Sequence, residues 1–405
     1  MIILVFNAGS SSLKFKLFDS VDAENMTVLS QGMVEAIGTD HALLKVDGSS
    51  QSVDAADTEA ALNHVIDAIA GPGKALSSME EVEAIGHRVA HGGEFFNCST
   101  RIDADVVAKI ESVSHLAPLH NPSAVTVIEH CHQLIPGRLQ VAAFDTAFHQ
   151  TMPARNYVYP IPYRYYEKYG IRRFGFHGMS HKYASRRAAK CLGKNPHDLK
   201  MLTCHIGSGA SLAAIDHGIS MDTTMGYTPL DGVMMGTRSG SVDPAIITAI
   251  MEKEGLSAAE MDAVLNRESG LLGVSGVTGD LRKLKEVIAK GDERAELAYD
   301  IFLTSIRRQI GAYLFELAGV DAIVCTAGVG ENDPYARRLI FRGLEPFGIC
   351  LDEERNMVDN DEDRLISSDD SKVAVLVVPA DEEAEIARDV ALIAAGEDIS
   401  DPYKY

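Results

Sequence analysis

No two of the six cysteines (Cys98, Cys131, Cys191, Cys204, Cys325, Cys350) are spaced as CxxC. That argues against a disulfide framework or a zinc site and favours buried thiols in a reducing cytoplasm. No apolar run reaches the ~18 residues expected of a membrane span. No basic segment precedes residues 2–6, so the N-terminus reads as a first strand and not a signal peptide. Basic residues are short too. The formal charge of −21 argues against a general nucleic-acid binder, though local Arg and Lys leave an anionic substrate open. There is no low-complexity tract. What remains is a 405-residue, 46% hydrophobic chain, long enough for two or three domains with cores of their own.

One pattern occurs twice. Residues 2–6 form an apolar run, broken at Asn7-Ala8-Gly9-Ser10-Ser11-Ser12, and a second strand follows in which Leu13, Phe15 and Leu17 alternate with Lys14 and Lys16. About two hundred residues on, the apolar run at 201–204 breaks at His205-Ile206-Gly207-Ser208-Gly209 and resumes through Leu212 to Asp216. Asn7 falls opposite His205, Gly9 opposite Gly207 and Ser10 opposite Ser208. Two such hairpins imply two halves of one duplicated architecture. Their Gly/Ser turns can offer backbone N–H groups and hydroxyls to phosphate.

Strands and helices alternate along the rest of the chain, an α/β class. Helices are predicted over 58–69, 103–114, 122–134, 180–192, 244–254, 295–318, from Pro334, and over 382–394. Strands are predicted over 82–89, 141–144, 322–326 and 373–378. Residues 153–169 read as an irregular crossover between halves, 221–244 as a glycine-bearing loop, and 356–370 as an acidic surface excursion. The His130-Cys131-His132 cluster lies on a helix, where adjacent side chains diverge, and reads as structural.

A third Gly turn, Ala327-Gly328-Val329-Gly330-Glu331-Asn332, lies between a strand and a helix, where a ligand can approach the backbone closely. Arg88 in GHRVAHGG and Arg238 in MGTRSG have glycines beside them, and guanidinium is a natural partner for carboxylate and phosphate. Each alone could be a surface loop arginine; two in an acidic chain point to an anion site. Asp145 ends a strand, as a residue facing a ligand crevice or as a helix N-cap. His177, between glycines ahead of a helix, is either structural or a donor to a transferring phosphoryl group.

Ten ordered segments carry a resemblance: NAGSSSLKF from Asn7, GHRVAHGGE from Gly86, LAPLHNP from Leu116, FDTAFH from Phe144, RRFGFHGMSH from Arg172, HIGSGAS from His205, MDTTMGYTPLDGVMMGTRSG from Met221, SGVTGDLR from Ser275, TAGVGEN from Thr326 and PADEE from Pro379. The chain resembles the acetate kinase family, within the actin-like, sugar-kinase and heat-shock-chaperone superfamily. The resemblance implies duplicated ribonuclease-H-like (actin-like ATPase) domains with an active-site cleft between them. These would be a first domain at 1–150, joined by the last helix at 382–397, and a second, nucleotide-binding domain at 151–381. It implies a cytoplasmic homodimer, with no nucleic-acid or membrane partner. The implied reaction is reversible, Mg2+-dependent (with Mn2+ as an alternative) in-line phosphoryl transfer between ATP and acetate, giving acetyl phosphate and ADP.

By resemblance, Asn7 and Glu382 lie near the metal, Lys14 lies by the ATP phosphates, and Arg88 grips the acetate carboxylate. Asp145 is a catalytic carboxylate, and His177 and Arg238 stabilise the transition state. Ala90, Leu119, Phe176 and Pro229 receive the acetate methyl. The nucleotide contacts His205, Ile206, Gly207, Ser208, Gly209, Asp280, Leu281, Arg282, Gly328, Val329, Gly330, Glu331 and Asn332. Several positions depart from the family pattern. Ser208 replaces a usual Asn, Asp231 a Glu, Ser241 an Asp, Ala380-Asp381 a Thr-Asn, and Ala90 a Val. None of these removes a charged group assigned to catalysis. The alternatives are a propionate or butyrate kinase on the same scaffold, and a non-catalytic nucleotide-dependent switch.

Overall fold

Ile3, Leu4, Val5 and Phe6 are apolar in succession, the pattern of a strand covered on both faces. All four are buried in the computed structural model of the chain, which describes residues 1–402. Two units emerge: one comprises Met1–Gln150 and the chain from Asp381, the other Thr151–Ala380.

The first unit is built on an eight-stranded sheet. Its strands are β1 (Ile2–Ala8), β2 (Ser12–Ser20), β3 (Met26–Glu35), β4 (Leu43–Val46), β5 (Ser49–Ser52), β6 (Ala84–Val89), β7 (Thr100–Arg101) and β8 (Leu139–Phe144), in the spatial order 5-4-3-2-1-6-8-7. β1, β2 and β3 run antiparallel, while β6 and β8 continue parallel to β1. The second unit's strands are β9 (Lys200–Ile206), β10 (Ala210–Asp216), β11 (Ile219–Thr223), β12 (Ala322–Thr326), β13 (Arg364–Leu365) and β14 (Ala374–Val377), in the order 11-10-9-12-14-13. β9, β10 and β11 are antiparallel, and β12 and β14 are parallel to β9. Each unit thus repeats an antiparallel meander flanked by two parallel strands, the ribonuclease-H-like order. In both, the first hairpin closes at the glycine turn. Ala8 pairs with Leu13, Ile206 pairs with Ala210, and the turns are tied by Gly9 N–H to Ser12 O and Gly207 N–H to Gly209 O.

The helix Glu382–Ala394 packs on β1 and β6. Its Ile386 and Val390 are fully buried, each contributing roughly 1.5–3 kcal/mol. They explain Gly86: a Cβ there would stand 2.5 Å from Ile386 Cγ2. In the second unit the helix Glu293–Glu316 buries Ala295, Ala298, Phe302, Ile306, Ile310 and Tyr313, at the spacing of one helical face.

Several segments differ from the sequence reading. Residues 153–169 are not simply irregular: short helices span Ala154–Tyr157 and Arg164–Tyr169. Residues 327–332 form a helical turn, Ala327–Asn332, entered through Ala327 at φ +64°. The acidic excursion contributes β13, paired antiparallel to β14. Of the cysteines, Cys131, Cys204 and Cys325 are buried, but Cys191 is exposed. The helix Pro244–Glu254 buries none of its residues despite Ile246, Ile247 and Ile250. No helix among the described residues is long and apolar enough to cross a membrane.

Candidate active site

In the first unit the expected residues converge where β1, β6 and β8 end together. Asn7 and Arg88 are register partners on β1 and β6, and Asp145 follows β8. The Arg88 guanidinium forms a fork to Asp145, Nε to Oδ1 at 2.9 Å and Nη2 to Oδ2 at 2.5 Å, and its Nη1 donates to Asn7 Oδ1 at 3.0 Å. Asp145 is 1% exposed, and both of its oxygens are engaged by Arg88. Glu382 lies 3.7 Å from Arg88 Nε, and Glu383 accepts from Asn7 Nδ2 at 3.1 Å and lies 4.0 Å from Lys14 Nζ. Burial alone would lower the Arg88 pKa, but Asp145, Glu382 and Glu383 outweigh it and hold the guanidinium charged. The Glu382 carboxyl is pushed up to about 7, first by burial, with Asp145 and Glu383 adding to it against Arg88 and Lys14. Three carboxylates thus face two cations. Among the described residues no three of His, Cys, Asp or Glu are placed to hold a metal ion together, and Asp145 is committed to Arg88; Asn7 and Glu382 are left as oxygen donors of the kind a small divalent cation takes alongside water and phosphate.

In the second unit His177 sits in the left-handed region, φ +57°, immediately before the helix Gly178–Cys191. A non-glycine residue rarely adopts this conformation unless its surroundings impose it. His177 Nδ1 is 2.9 Å from Ser211 Oγ on β10, and its ring stacks on His205 of β9 at 4.1 Å. Arg238 reaches the same turn. A Cβ on Gly209 would lie 3.5 Å from His177 Nε2 and 3.7 Å from Arg238 Nη1, so both side chains overhang the glycine backbone. Among the described residues Arg238 has no carboxylate partner; its one side-chain contact is Met235 Sδ at 3.8 Å, and burial lowers its pKa.

A cavity of about 830 Å³ opens beside this turn, a size typical of small-molecule sites. Gly207, Ser208, Asp280, Leu281 and Arg282 line it, with Gly328, Val329 and Asn332. Asp280 caps the helix Leu281–Ile288 and forks to Arg282. Other expected nucleotide residues are placed differently. Ile206 is core, Gly330 is buried with its carbonyl held by Arg337, and Glu331 turns its carboxylate to Ala380 N–H. Of the four expected methyl-pocket residues, Ala90 and Phe176 are buried and Pro229 half-buried, while Leu119 is 57% exposed.

Several side chains touching these residues escaped the sequence reading: Glu383, Ser211, and the Lys285–Asp333 ion pair on the cavity wall. Two departures from the family pattern also meet. Ser241 Oγ donates to Asp231 Oδ1 at 2.5 Å, a hydroxyl–carboxylate bond where two acids would repel. Asp381 caps the helix Glu382–Ala394 and accepts from Lys16 Nζ at 2.6 Å, a charge pair that the usual asparagine would not make.

A glycine-turn hairpin overhung by a histidine and by an arginine with no carboxylate partner among the described residues, beside a nucleotide-sized cavity, is the site of a kinase, an enzyme of phosphoryl transfer on α/β units. The chain belongs to the acetokinase family, which matches residues 2–388. It is 50% identical over 395 residues to the acetate kinase of Natranaerobius thermophilus, covering 96% of this chain and 98% of that protein. It is 49% identical over 403 residues to that of Thermoanaerobacter pseudethanolicus, covering 98% and 100%. The crystal structure of Porphyromonas gingivalis acetate kinase superposes with a TM-score of 0.91 at 43% identity, covering 97% of this chain and 99% of that one. A propionate kinase from Francisella tularensis superposes at 0.87 with 38% identity, covering 96% and 98%.

Proposed function

We propose that this chain catalyses reversible phosphoryl transfer between ATP and acetate, giving acetyl phosphate and ADP. One observation carries the reading: Arg238, a partly buried cation with no carboxylate partner among the described residues, stands with His177 over the glycine turn that borders the cavity. A carboxylate nucleophile is already deprotonated at neutral pH, so no general base is required. What must be supplied is alignment and neutralisation of the phosphoryl charge.

The acetate oxygen attacks the γ-phosphorus, its bond to the ADP oxygen breaks, and ADP leaves. Arg88 holds the acetate carboxylate, its fork to Asp145 fixing the guanidinium plane. This makes Asp145 an orienting partner as well as a local negative charge. His177 and Arg238 donate to the phosphoryl oxygens. The nucleotide occupies the cavity, its phosphates toward Gly207, Ser208 and Gly209 and its base toward Asp280, Leu281, Arg282, Gly328 and Asn332. Lys14 is assigned to the ATP phosphates. Asn7 and Glu382 would hold Mg2+, whose chemistry is to neutralise phosphate charge. Ala90, Phe176, Pro229 and Leu119 receive the methyl group. We place the enzyme in the cytoplasm, consistent with six free cysteines, and infer a homodimer formed through the uncovered helix Pro244–Glu254, where Ile246 is 48% exposed.

The test is a coupled assay of ADP formation over acetate, propionate and butyrate, with and without Mg2+. Acetate-dependent, Mg2+-dependent turnover is expected. Preference for propionate or butyrate would replace the acetate reading, and no turnover with any acid would overturn it.

A further inference from the structure

Behind His177 runs a chain of buried hydrogen bonds that ends at a strand hydroxyl. His177 Nδ1 is 2.9 Å from Ser211 Oγ, and Ser211 Oγ is 2.8 Å from His181 Nε2. His181 Nδ1 is 2.7 Å from Thr203 Oγ1. Thr203 (β9), Ser211 (β10) and His181, one helical turn beyond His177, are all fully buried.

The direction of every bond follows from its far end. Thr203 Oγ1 has no other hydrogen-bond partner among the described residues, so its proton goes to His181 Nδ1. The reverse direction would bury a hydroxyl proton without an acceptor, at a cost of about 1–3 kcal/mol. With Nδ1 accepting, neutral His181 carries its proton on Nε2 and donates to Ser211 Oγ. Ser211 has two side-chain partners, His181 and His177, so its own proton goes to His177 Nδ1. Neutral His177 is then the Nε2–H tautomer. Its donor lies on the edge that overhangs Gly209 beside Arg238. The opposite tautomer would present a lone pair to an arriving phosphate and repel it.

We propose that Thr203, His181 and Ser211 are positioning residues, a one-way relay that fixes His177 as a donor before any phosphate arrives. The consequence for catalysis rests on His177 acting on the transferring phosphoryl group, as proposed above. The tautomer itself does not, and that separates the two in experiment.

The test combines 15N-histidine NMR of the full-length protein with steady-state kinetics. In the native protein His177, assigned by loss of its signals in His177→Gln, should show the Nε2–H tautomer. In Ser211→Ala it should become a mixture, with kcat down about tenfold or more and KM for acetate and ATP within about twofold. Ser211→Thr, which keeps the hydroxyl, should restore both the tautomer and most of kcat. Thr203→Val, which keeps the shape and removes only the hydroxyl, should give a smaller loss that does not add to that of Ser211→Ala. An Nδ1–H tautomer in the native protein, or an unchanged tautomer in Ser211→Ala, would overturn the relay. A shifted tautomer with unchanged kcat would keep the relay and overturn the role of His177 as phosphoryl donor.

Discussion

Arg88 and Arg238 are alike in sequence context, but the structure predicts unequal effects on stability when each is replaced by alanine. Arg88 is the counter-charge of a buried cluster: its side chain is 17% exposed and that of Asp145 2%. Removing it leaves Asp145, Glu382 and Glu383 with Lys14 as the remaining nearby cation. Breaking a buried pair from one side costs about 3–5 kcal/mol. At ~2–4 °C per kcal/mol for a unit of this size, that is a fall of roughly 6–20 °C in the melting temperature of the first unit. Arg238 has no carboxylate to abandon, and burial already disfavours its charge. Arg238→Ala should therefore leave the melting temperature within about 2 °C of native, or raise it. Both variants should lose roughly 10²–10³ in turnover, since on the proposed function each removes a donor to the reacting anions. Calorimetry of the native protein, both alanine variants and the Arg88→Ala/Asp145→Ala double variant, alongside kcat, tests this. The double variant should regain part of the stability lost in Arg88→Ala, because the stranded carboxylate is gone. Equal melting temperatures for the two single variants would refute the assignment of Arg88 as a structural counter-ion, and near-native turnover in either would refute its place in the site.

Three further outcomes are expected. His87, 1% exposed and bonded to Gln140, has its pKa lowered to about 4 by burial; below pH 6.5 the unfolded chain takes a proton that the folded one refuses. Stability should thus fall by up to about 3 kcal/mol between pH 6.5 and 4, and denaturant titrations across that range should show a shallower fall in His87→Gln. Ala90→Val should narrow the methyl pocket and lower the propionate-to-acetate ratio of kcat/KM, by an amount within the ~1–3 kcal/mol that one methylene can discriminate; an unchanged or raised ratio would show that Ala90 does not line the pocket. Ile246→Glu on the uncovered helix should shift sedimentation from dimer toward monomer while leaving the melting profile of the monomer intact, and an unaltered dimer would move the interface elsewhere.

How far the sequence could be read depends on where each residue finds its partners. The two glycine hairpins were legible because all their information is local: apolar runs, a Gly/Ser break, and alternation in the returning strand. The cavity residues Gly207, Ser208, Gly328 and Asn332 lie in segments legible for the same reason, since a glycine turn at the end of a strand is a backbone property. β5, with the sequence Ser-Ser-Gln-Ser and every residue exposed, carries no apolar alternation and takes its place by pairing with β4. The helix Pro244–Glu254 has apolar residues but no buried face, so its pattern does not reveal what it packs against. Gly86 stands in sequence only as a glycine near Arg88; its reason is Ile386, three hundred residues away, which fills the space a Cβ would need. The relay behind His177 was hidden most fully. Thr203, Ser211 and His181 are ordinary residues of two strands and a helix, and no spacing among them marks a site. Their function lies in the direction of three hydrogen bonds. That direction is set by one buried threonine hydroxyl with a single acceptor within reach, a fact of tertiary structure that no local pattern encodes.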